Sequence, residues 1–448
     1  MINKFFGVLG LGLSGKATVD FFKKNNFKFI CWDQSLSVKE QVKVAGSQHL
    51  SDPEDEQWNK IDYLVRSPGI PLNQNNAILN RAKENDIKII SDIELFYLLN
   101  PEAKYVGITG TNGKSTTTHL IQHVLKLSNL NFSYGGNIGK PVMSLPNINH
   151  SDYIYVFELS SYQLASIEKA HFNIAILLNI TEDHISWHGS MNNYISDKFK
   201  ILKNSSLDDY FIFNCIDENI VHNIPTDCSV IKQPFSCSKK NNTYIKNNTI
   251  YDSQSKEVVY LPYNKFLTGS HNSENIVASY IACRKLGVSS ETFKNGIKSF
   301  VGLPHRMQPA GQYKNVHFVN DSKATNFESC EKALNNMHSK IILLMGGIMK
   351  TSNDFKLIAK HKDKILNVFS FGQDSKALKK GLDKLQINTV LENSMESALT
   401  SAISLALQQE FLVTILLSPG CASFDQWKNF EERGNKFLEI TQKYAQSD

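Results

Sequence analysis

The sequence predicts an α/β protein with three domains. Short apolar runs alternate with amphipathic segments along the chain, which is the pattern of parallel sheets covered by helices. Two glycine-rich turns, Gly10-Leu11-Gly12-Leu13-Ser14-Gly15 and Gly107-Ile108-Thr109-Gly110-Thr111-Asn112-Gly113, follow such runs at separate places. A chain of 448 residues is also too long for one hydrophobic core. We expect domains at residues 1–100, 101–303 and 304–448.

The composition is that of an ordinary globular protein, with 41% hydrophobic and 20% charged residues. The net charge of +5 comes from scattered lysines, so we expect phosphorylated small molecules rather than nucleic acid as anionic partners. No apolar run is long enough to span a membrane, and the N-terminus carries no secretory signal. The seven cysteines form no Cys-x-x-Cys pair and indicate reduced thiols. These features predict a cytoplasmic protein without membrane insertion, which we expect to be a monomer.

The first domain begins with a buried strand, a glycine-rich turn and a helix over residues 17–22. A second strand at residues 27–33 ends in Asp33, about 20 residues after the glycines. This is the Rossmann-type fingerprint, in which the turn binds a diphosphate and the acid bonds a ribose hydroxyl. The fingerprint does not separate NAD from other diphosphates, and a tight turn without a ligand remains an alternative. Further strands precede Ser67-Pro68-Gly69-Ile70 and the helix that starts near Ile93.

The central domain opens with a strand, a glycine-rich loop and a helix, the context that a phosphate-binding loop requires. Glycines let backbone N–H groups approach a phosphate, and the helix N-terminus adds a positive field. Lys114 can reach the β- and γ-phosphates of ATP, and the Ser115 hydroxyl can bind Mg²⁺. The general pattern places its first glycine where Ile108 stands, so an ordinary turn is the alternative.

Two later strands end in polar residues that suit a metal. One ends at Glu158, and the other, at residues 174–180, leads into Thr181-Glu182-Asp183-His184. The carboxyl ends of parallel strands meet at one edge of a sheet, where ligands bind. A His ligand is unusual for Mg²⁺, which prefers oxygen, so this assignment needs further support. The stretch 205–262 predicts short strands and polar turns in a peripheral excursion without chemistry.

The string Gly-Ile-Thr-Gly-Thr-Asn-Gly-Lys-Ser-Thr resembles the ATP loop of the Mur ligase family, the amide-forming ligases of the peptidoglycan stem peptide. This resemblance implies that Glu158 and His184 bind Mg²⁺ together with Ser115, and that Lys198 is carbamylated and also acts on the metal. It further implies an ATP site made of the following residues: Gly110, Thr111, Asn112, Gly113, Lys114, Ser115, Thr116, Asn272, Asn275, Arg306 and Asp321. Lys114, Glu158, His184 and Lys198 are the implied catalytic residues.

The first and last domains are similar to the D-glutamate-adding branch of the family. The strings Ser-Pro-Gly-Ile and Ser-Asp-Ile-Glu-Leu-Phe carry the resemblance in the first domain. It implies a site for the UDP-sugar at Leu13, Ser14, Asp33, Ser67, Gly69 and Asn137. The long string from Leu417 to Gly434 and Asp-Ser-Lys-Ala-Thr-Asn carry it in the last domain, a second Rossmann-like sheet. They imply a site for D-glutamate at Lys323, Thr325, Lys350, Ser423, Phe424 and Phe430.

Two departures from the family pattern stand near these residues. The family usually shows Asp and Arg where this chain has Ser186 and Trp187, and an Asp where it has Met349. The predicted reaction joins D-glutamate to UDP-N-acetylmuramoyl-L-alanine with ATP and Mg²⁺, through an acyl phosphate and a domain closure near Leu303. Another Mur-type or folylpolyglutamate-type ligase is the nearest alternative. A phosphotransferase or a non-catalytic nucleotide sensor is the alternative from a different class.

Overall fold

The computed structural model of the chain describes residues 3–35, 49–72, 75–236, 243–335, 337, 339–349 and 354–446. The predicted D-glutamate residue Lys350 lies outside these residues, as do Cys237 and the turn at residues 241–242. The chain forms two compact units, Met1–Val301 and Gly302–Asp448. Within the described residues, none of the helices is both long and apolar enough to cross a membrane.

The first sheet of unit one is parallel, with the strand order β2-β1-β3-β4. Its strands are β1 (Phe5–Leu9), β2 (Lys28–Trp32), β3 (Tyr63–Arg66) and β4 (Lys88–Ile90). Its helices are α1 (Leu13–Lys24), α2 (Ala77–Glu84) and α3 (Asp92–Leu99), with a 3₁₀ turn at Glu56–Lys60. A Cβ on Gly15 would lie 1.8 Å from the Gly10 carbonyl oxygen, so α1 can approach β1 only because this residue is glycine.

The second sheet of unit one has the order β13-β12-β11-β10-β9-β8-β5-β7-β6. Its strands are β5 (Lys104–Thr109), β6 (Phe132–Gly136), β7 (Ile154–Glu158), β8 (Ile174–Leu177), β9 (Tyr210–Asn214), β10 (Ile231–Ser236), β11 (Thr243–Lys246), β12 (Thr249–Tyr251) and β13 (Val258–Tyr260). Strands β9 to β13 form from the stretch predicted as a peripheral excursion, and they extend the same sheet. Only β11–β12 and β12–β13 pair antiparallel among the described strands of this sheet.

Helices cover both faces of this second sheet. They are α4 (Lys114–Leu127), α5 (Ser161–Leu164), α6 (Ile185–His188), α7 (Met191–Phe199), α8 (Glu218–Val221), α9 (Ser270–Lys285) and α10 (Ser290–Ser299), with 3₁₀ turns at Val142–Ser144 and Lys200–Leu202. Alternate residues of β7 enter different cores: Val156 packs with α4 and α9, whereas Phe157 packs in a cluster that also contains Phe6 and Val8 of β1. This shared cluster explains why the two sheets form one compact unit.

Unit two contains a sheet with the order β14-β15-β19-β16-β17-β18, in which only β14 runs antiparallel to its neighbour. Its strands are β14 (Gln308–Tyr313), β15 (Val316–Asn320), β16 (Lys340–Gly346), β17 (Ile365–Phe371), β18 (Thr389–Leu391) and β19 (Val413–Leu417). Its helices are α11 (Phe327–Asn335), α12 (Lys356–Ala359), α13 (Ser375–Asp383), α14 (Met395–Ala406) and α15 (Phe430–Ala445). Core clusters lie on both faces of the sheet. The predicted α/β architecture is thereby confirmed.

Candidate active site

The loop at residues 110–116 follows β5 and includes the first turn of α4. Its two glycines adopt backbone conformations that favour glycine. Gly110 and Gly113 have φ angles of +152° and +86°, a region that side chains disfavour. A Cβ on Gly113 would also lie 2.3 Å from the Asn275 Oδ1 atom. The loop therefore needs glycine for its conformation and for the close approach of α9, as the sequence pattern predicts.

Asn179, just after the end of the neighbouring strand β8, holds the loop through hydrogen bonds to the loop backbone. The Thr111 N–H donates to the Asn179 carbonyl oxygen at 2.9 Å, and the Asn112 N–H donates to the Asn179 Oδ1 at 2.8 Å. The Asn179 Nδ2 donates in return to the Asn112 carbonyl oxygen at 3.1 Å. Asn179 follows β8, so the sheet itself fixes the loop. The sequence analysis did not select Asn179, whose signal is its place at the end of a buried strand.

Asn272 and Asn275, which are predicted for the ATP site, lie beside this loop. Asn275 is buried, and its Oδ1 accepts from the Thr117 hydroxyl at 3.4 Å. The Asn275 Nδ2 donates to the Asn272 Oδ1 at 3.3 Å, and the Asn272 Nδ2 donates to the Thr268 carbonyl oxygen at 2.9 Å. The structure thus brings the start of α9 to the first turn of α4, where Ser115 and Thr116 are buried.

Two lysines converge on one carbonyl group of the loop. The Lys114 Nζ donates to the carbonyl oxygens of Gly110, at 2.7 Å, and Thr111, at 2.9 Å. The Lys198 Nζ, which comes from α7, donates to the same Gly110 oxygen at 2.9 Å. Lys198 is only 1% exposed and is therefore not a surface lysine.

The environment of Lys198 opposes its positive charge. Burial lowers the pKa of the Lys198 ammonium well below its usual value, and the nearby charge of Lys114 lowers that pKa further, while Asp183 acts against both. Tyr194 covers the amine from one side, with its ring centroid 4.6 Å from Nζ. A buried lysine of this kind holds a larger share of neutral, nucleophilic amine than an exposed one.

Glu158 ends β7 beside the loop and is 1% exposed. Its Oε1 accepts from the Asn137 Nδ2 at 2.9 Å, and its carbonyl oxygen accepts from the Asn137 N–H at 2.8 Å. The other carboxylate oxygen, Oε2, is buried and has no hydrogen-bond partner among the described residues. Such an oxygen is costly to bury alone, which suits a cation ligand. Asn137, predicted to bind the UDP-sugar, lies next to this carboxylate.

His184 stands where α6 begins, with a left-handed φ of +55°. Its Nε2 lies 3.3 Å from the Asp183 Oδ2, and its ring packs on Tyr162 with 5.0 Å between centroids. Burial lowers the pKa of His184, Asp183 opposes that change, and the charges of Lys114 and Lys198 favour it. The charges of both Lys114 and Lys198 therefore act on His184.

The departure at residue 187 places an indole in this region. Trp187 packs against Tyr162 and His188, with centroid distances of 4.6 and 4.5 Å. Its Nε1 is buried and has no hydrogen-bond partner within the described part of the chain. His188 in turn bonds the Asp197 Oδ2 at 2.8 Å and the Ser161 Oγ at 2.9 Å. These contacts tie α6 to α7, the helix that carries Lys198.

The candidate metal residues include few of the usual ligand types. No group of three His, Cys, Asp or Glu side chains suited to a metal occurs among the residues that the structure describes. The predicted set contains only one carboxylate and one imidazole of these types, Glu158 and His184. A third strong ligand would have to come from Ser115 or from a Lys198 converted to an anion.

Five of the predicted UDP-sugar residues lie just after β1, β2 and β3: Leu13, Ser14, Asp33, Ser67 and Gly69. Asp33 accepts from the Leu11 N–H at 2.6 Å, so its carboxylate fixes the glycine-rich turn. Ser67 donates its N–H to the Leu9 carbonyl oxygen at 2.8 Å. Leu13 is 81% exposed, and no neighbouring atom lies within 4 Å of a Cβ built on Gly69. The turn and the 67–70 loop therefore form one accessible edge.

Ser14 connects this edge to the second sheet. It hydrogen-bonds the side chain of Asp92, which is buried and also bonds Gln163 of α5. Burial raises the pKa of Asp92, and these hydrogen bonds act in the opposite direction. The sequence analysis missed Asp92 as a structural link, although it occurs in the Ser-Asp-Ile-Glu string.

In unit two, Asp321 and Arg306 lie close together. The Asp321 Oδ2 accepts from the Ser418 hydroxyl at 2.8 Å, and its Oδ1 accepts from the Met307 N–H at 3.1 Å. Burial raises the pKa of Asp321 to about 7, although both hydrogen bonds and the charge of Arg306 lower it. Burial, the two hydrogen bonds and Arg306 therefore together determine whether the Asp321 carboxyl is charged.

One buried arginine joins the loops that carry the predicted D-glutamate residues. Arg433 of α15 is 0% exposed and donates to the carbonyl oxygens of Ser322, Gly346 and Cys421, at 2.9 to 3.2 Å. Ser322 and Cys421 follow β15 and β19, and Gly346 is the last residue of β16. Arg433 was not selected from the sequence, because nothing in its local pattern shows that it is buried.

The predicted D-glutamate residues surround these loops. Lys323 lies with its Nζ 5.8 Å from the centroid of the Phe430 ring, and Thr325 is half-buried in the same loop. Ser423 is buried, whereas Phe424 is 71% exposed. Although the expected Asp before residue 350 is absent, the Asp374 Oδ2 accepts from the Met349 N–H at 2.7 Å, so a carboxylate reaches this place from another loop.

Three stretches of the chain match profiles of known families. Residues 4–91 match the MurD-like N-terminal domain of Mur ligases, residues 108–283 match the Mur ligase middle domain, and residues 305–419 match the Mur ligase glutamate ligase domain.

Curated relatives match over nearly the full length. The UDP-N-acetylmuramoylalanine–D-glutamate ligase of Rickettsia prowazekii (strain Madrid E) is 37% identical over 449 residues, which covers 98% of each chain. The enzyme of the same name from Christiangramia forsetii is 34% identical over 448 residues, 98% of this chain and 99% of the relative.

Solved structures share the fold at lower identity. The UDP-N-acetylmuramate–alanine ligase MurC of Thermotoga maritima has a TM-score of 0.60 at 17% identity and covers 98% of this chain and 100% of its own. The MurF ligase of the same organism, solved in complex with ADP, has a TM-score of 0.56 at 16% identity, with 100% of this chain and 98% of its own covered. The domain matches and the full-length relatives confirm the resemblance seen in the sequence: the chain belongs to the Mur ligase family.

Proposed function

We propose that this chain joins D-glutamate to UDP-N-acetylmuramoyl-L-alanine, using ATP and an acyl-phosphate intermediate, as a cytoplasmic monomer. Its similarity to ligases named for this reaction, over 98% of the chain, supports the choice of substrates. The observation that carries the chemistry is the 110–116 loop, with Lys114 and Lys198 both on the Gly110 carbonyl and Glu158 at the adjacent strand end.

The reaction needs ATP because a carboxylate has no good leaving group. The L-alanine carboxylate oxygen would attack the γ-phosphorus of ATP, and the bond from that phosphorus to the bridging oxygen would break and release ADP. The D-glutamate amine would then attack the acyl carbon, lose a proton, and displace phosphate from the tetrahedral intermediate. Positioning and charge neutralisation supply much of the catalysis in such steps.

The loop residues would hold the triphosphate. The N–H groups of residues 110–116 and the start of α4 would bind phosphate oxygens. Lys114 would move from the loop carbonyls to the γ-phosphate, an exchange that its flexible side chain permits. Asn272 and Asn275 would contact the adenine, and the sequence resemblance assigns Arg306 and Asp321 to ATP binding as well.

One observation supports a Mg²⁺ site here: the Glu158 Oε2 is buried and lacks a hydrogen-bond partner among the described residues. We propose that Glu158, His184 and Ser115 hold the ion, which would neutralise phosphate oxygens of ATP when bound. The depressed pKa of Lys198 favours the neutral amine that reacts with CO₂, so we propose a carbamate here, whose anion would act on the same ion.

We propose that residues 1–100 bind the UDP-sugar, residues 101–303 bind ATP, and residues 304–448 bind D-glutamate. The accessible edge formed by Leu13, Ser14, Asp33, Ser67 and Gly69 supports the first site, together with Asn137 beside Glu158. Lys323 and Thr325 would hold the amino acid's carboxylates, with Ser423, Phe424 and Phe430 around them. Lys350, predicted for the same site, keeps that assignment from the sequence alone.

The test is a panel of D- and L-amino acids offered with ATP and UDP-N-acetylmuramoyl-L-alanine to the purified protein. We expect phosphate release and a new amide product with D-glutamate only. Turnover with another amino acid would indicate a different Mur-type or folylpolyglutamate-type ligase. Phosphate release that is independent of any amino acid would indicate a phosphotransferase and contradict the proposal.

A further inference from the structure

Arg66 is a buried arginine at the end of β3, immediately before the 67–70 loop. It is 0% exposed, and no carboxylate of the described residues lies within 4.0 Å of its guanidinium nitrogens. Its Nε is buried and has no hydrogen-bond partner among these residues. Burying a guanidinium without a paired carboxylate is unfavourable, and an apolar side chain would fill the same volume at less cost. Its contacts therefore need an explanation beyond filling the core.

On one side, the guanidinium holds the 67–70 loop. The Nη1 atom donates to the carbonyl oxygens of Ser67, at 3.3 Å, and Pro68, at 3.4 Å, and to that of Ile70. A planar group with several N–H donors can bridge successive carbonyl groups in this way, whereas a lysine ammonium cannot span them with the same geometry. The shape of the loop that contains Ser67 and Gly69 thus depends on Arg66.

On the other side, the guanidinium holds α5 and the residues after it. The Nη2 atom donates to the Tyr162 carbonyl oxygen at 3.2 Å and to the Ser166 Oγ at 2.8 Å. These partners lie 96 and 100 residues further along the chain. One side chain therefore joins the loop of the first sheet to a helix that follows β7 of the second.

Contacts between aromatic rings connect this helix to His184. The Tyr162 ring lies 5.0 Å from the His184 ring and 4.6 Å from the Trp187 ring, measured between centroids. The Arg66 Cζ lies 5.7 Å from the centroid of Trp187, on its face. Arg66 thus contacts Tyr162, whose ring packs on His184, and Trp187, which lies in α6 directly after His184.

We propose that Arg66 is a positioning residue, which sets the 67–70 loop and the His184 turn relative to each other so that the UDP-sugar's carboxylate meets the ATP loop. This inference rests on the proposed function, since it assigns the loop to the UDP-sugar and the turn to the phosphoryl-transfer site. It adds a residue whose role is fixed by contacts between distant segments and which no pattern in the sequence selects.

The test compares steady-state kinetics of Arg66→Leu, Arg66→Lys and the milder Ser166→Ala with those of the wild type. We expect kcat to fall about 10- to 100-fold in both Arg66 variants, because small misplacements of reacting groups are costly. The KM for the UDP-sugar should rise about 10-fold, and the KM for D-glutamate should stay unchanged. Ser166→Ala, which removes one acceptor of the buried guanidinium, should raise the UDP-sugar KM by about 3-fold and lower the melting temperature by only about 2 to 4 °C.

Arg81→Leu is the matched control, because Arg81 belongs to the same first-sheet region but pairs with Glu54 at the surface. It should keep wild-type kinetics. The inference would be overturned if Arg66→Lys and Ser166→Ala bound and turned over the UDP-sugar like the wild type, whatever happened to their melting temperatures. Because the wild type is assayed first, its failure to use D-glutamate would identify an error in the proposed function, and would remove the basis of this inference as well.

Discussion

Glu158 and Lys198 are both almost fully buried beside the 110–116 loop. The surroundings do not fully compensate the charge of either side chain. Glu158 keeps one carboxylate oxygen without a hydrogen-bond partner among the described residues, and Lys198 is buried close to a second ammonium group. Buried charges normally persist only when they are paired or used. A cation at Glu158 and conversion of Lys198 to an anionic carbamate would resolve both, which is why we place the catalytic centre here.

Replacement of Lys198 by Ala should abolish ligation, with a loss of about 100-fold or more in kcat, because the anion that we propose there is removed. A short carboxylic acid such as acetate should restore part of the activity by supplying a carboxylate to the cavity. Phosphate release with and without the acid measures this. Lys203→Ala is the control, since Lys203 pairs with Glu168 at the surface. Wild-type activity in the Lys198 variant would contradict the assignment.

Asp321 should make the stability of unit two depend on pH. Its folded pKa of about 7 exceeds its ordinary value of 3.8, so the carboxyl stabilises the fold fully below about pH 4 and loses that contribution as pH rises to 7. Asp321→Asn removes this titration. Relative to the wild type, the variant should therefore gain about 3 kcal/mol in unfolding free energy between pH 5 and pH 8.

Urea unfolding at the two pH values measures this difference for each protein. Asp363→Asn, which changes an exposed aspartate of the same unit, should show no such gain. Since only the pH-dependent part is compared, a constant offset from the amide does not matter. An Asp321→Asn variant whose stability differs from the wild type by the same amount at both pH values would show that the carboxyl stays ionised when folded.

At the scale of elements, the helix α3 is fixed to the second sheet by one carboxylate. Glu94 is 1% exposed, and its two oxygens accept from the backbone N–H groups of Glu168, Lys169 and Ala170 at 2.7 to 3.1 Å. These donors belong to a turn that follows α5, so they have no helical partners of their own. The carboxylate satisfies three donors at once and joins the two sheets of unit one.

Glu94→Ala should destabilise unit one by about 3 kcal/mol, because it leaves three backbone N–H groups, of which that of Ala170 is buried, without their acceptor. Glu94→Gln should cost about half of that, since one acceptor oxygen remains but the charge is lost. Thermal or urea unfolding measures both. Glu84→Ala, at the exposed end of α2, is the control and should change stability little. Equal stability of Glu94→Ala and the wild type would show that the turn finds other partners.

Strands and glycine loops could be predicted from the sequence because their signals are local. The apolar runs that become β1, β5, β7 and β8 are buried on both faces, and the loop glycines occupy backbone conformations that other residues disfavour. The same holds for Glu158 and His184, since the ends of predicted parallel strands lie at one edge. Much of the candidate site could therefore be predicted from the residues at the ends of the strands.

Contacts between distant segments could not be predicted in this way. Arg66 meets Ser166 across 100 residues, and Arg433 meets Ser322 across 111. Both are charged residues whose local surroundings resemble those of surface positions, so only the fold shows that they are buried. Strands β10 to β13 are a similar case, because their short sequences, which contain many polar residues, do not show which sheet edge they join.

At the scale of the whole molecule, the candidate residues are divided between the two units. Unit one carries the 110–116 loop and the edge that we propose for the UDP-sugar, and unit two carries Asp321 and the loops joined by Arg433. Each unit arranges its set at the carboxyl ends of a parallel sheet, where ligands bind in such folds. A reaction that consumes three substrates fits a chain in which separate sheets present separate sites.

The central claim is that the UDP-sugar's own carboxylate takes the γ-phosphoryl group before the amide forms. The most direct measurement uses UDP-N-acetylmuramoyl-L-alanine with ¹⁸O in that carboxylate, together with ATP and D-glutamate, and determines the isotope in the phosphate released. An acyl phosphate predicts one ¹⁸O atom in each phosphate formed with the amide product. Phosphate that contains no ¹⁸O, while the amide forms at the same rate, would contradict the account.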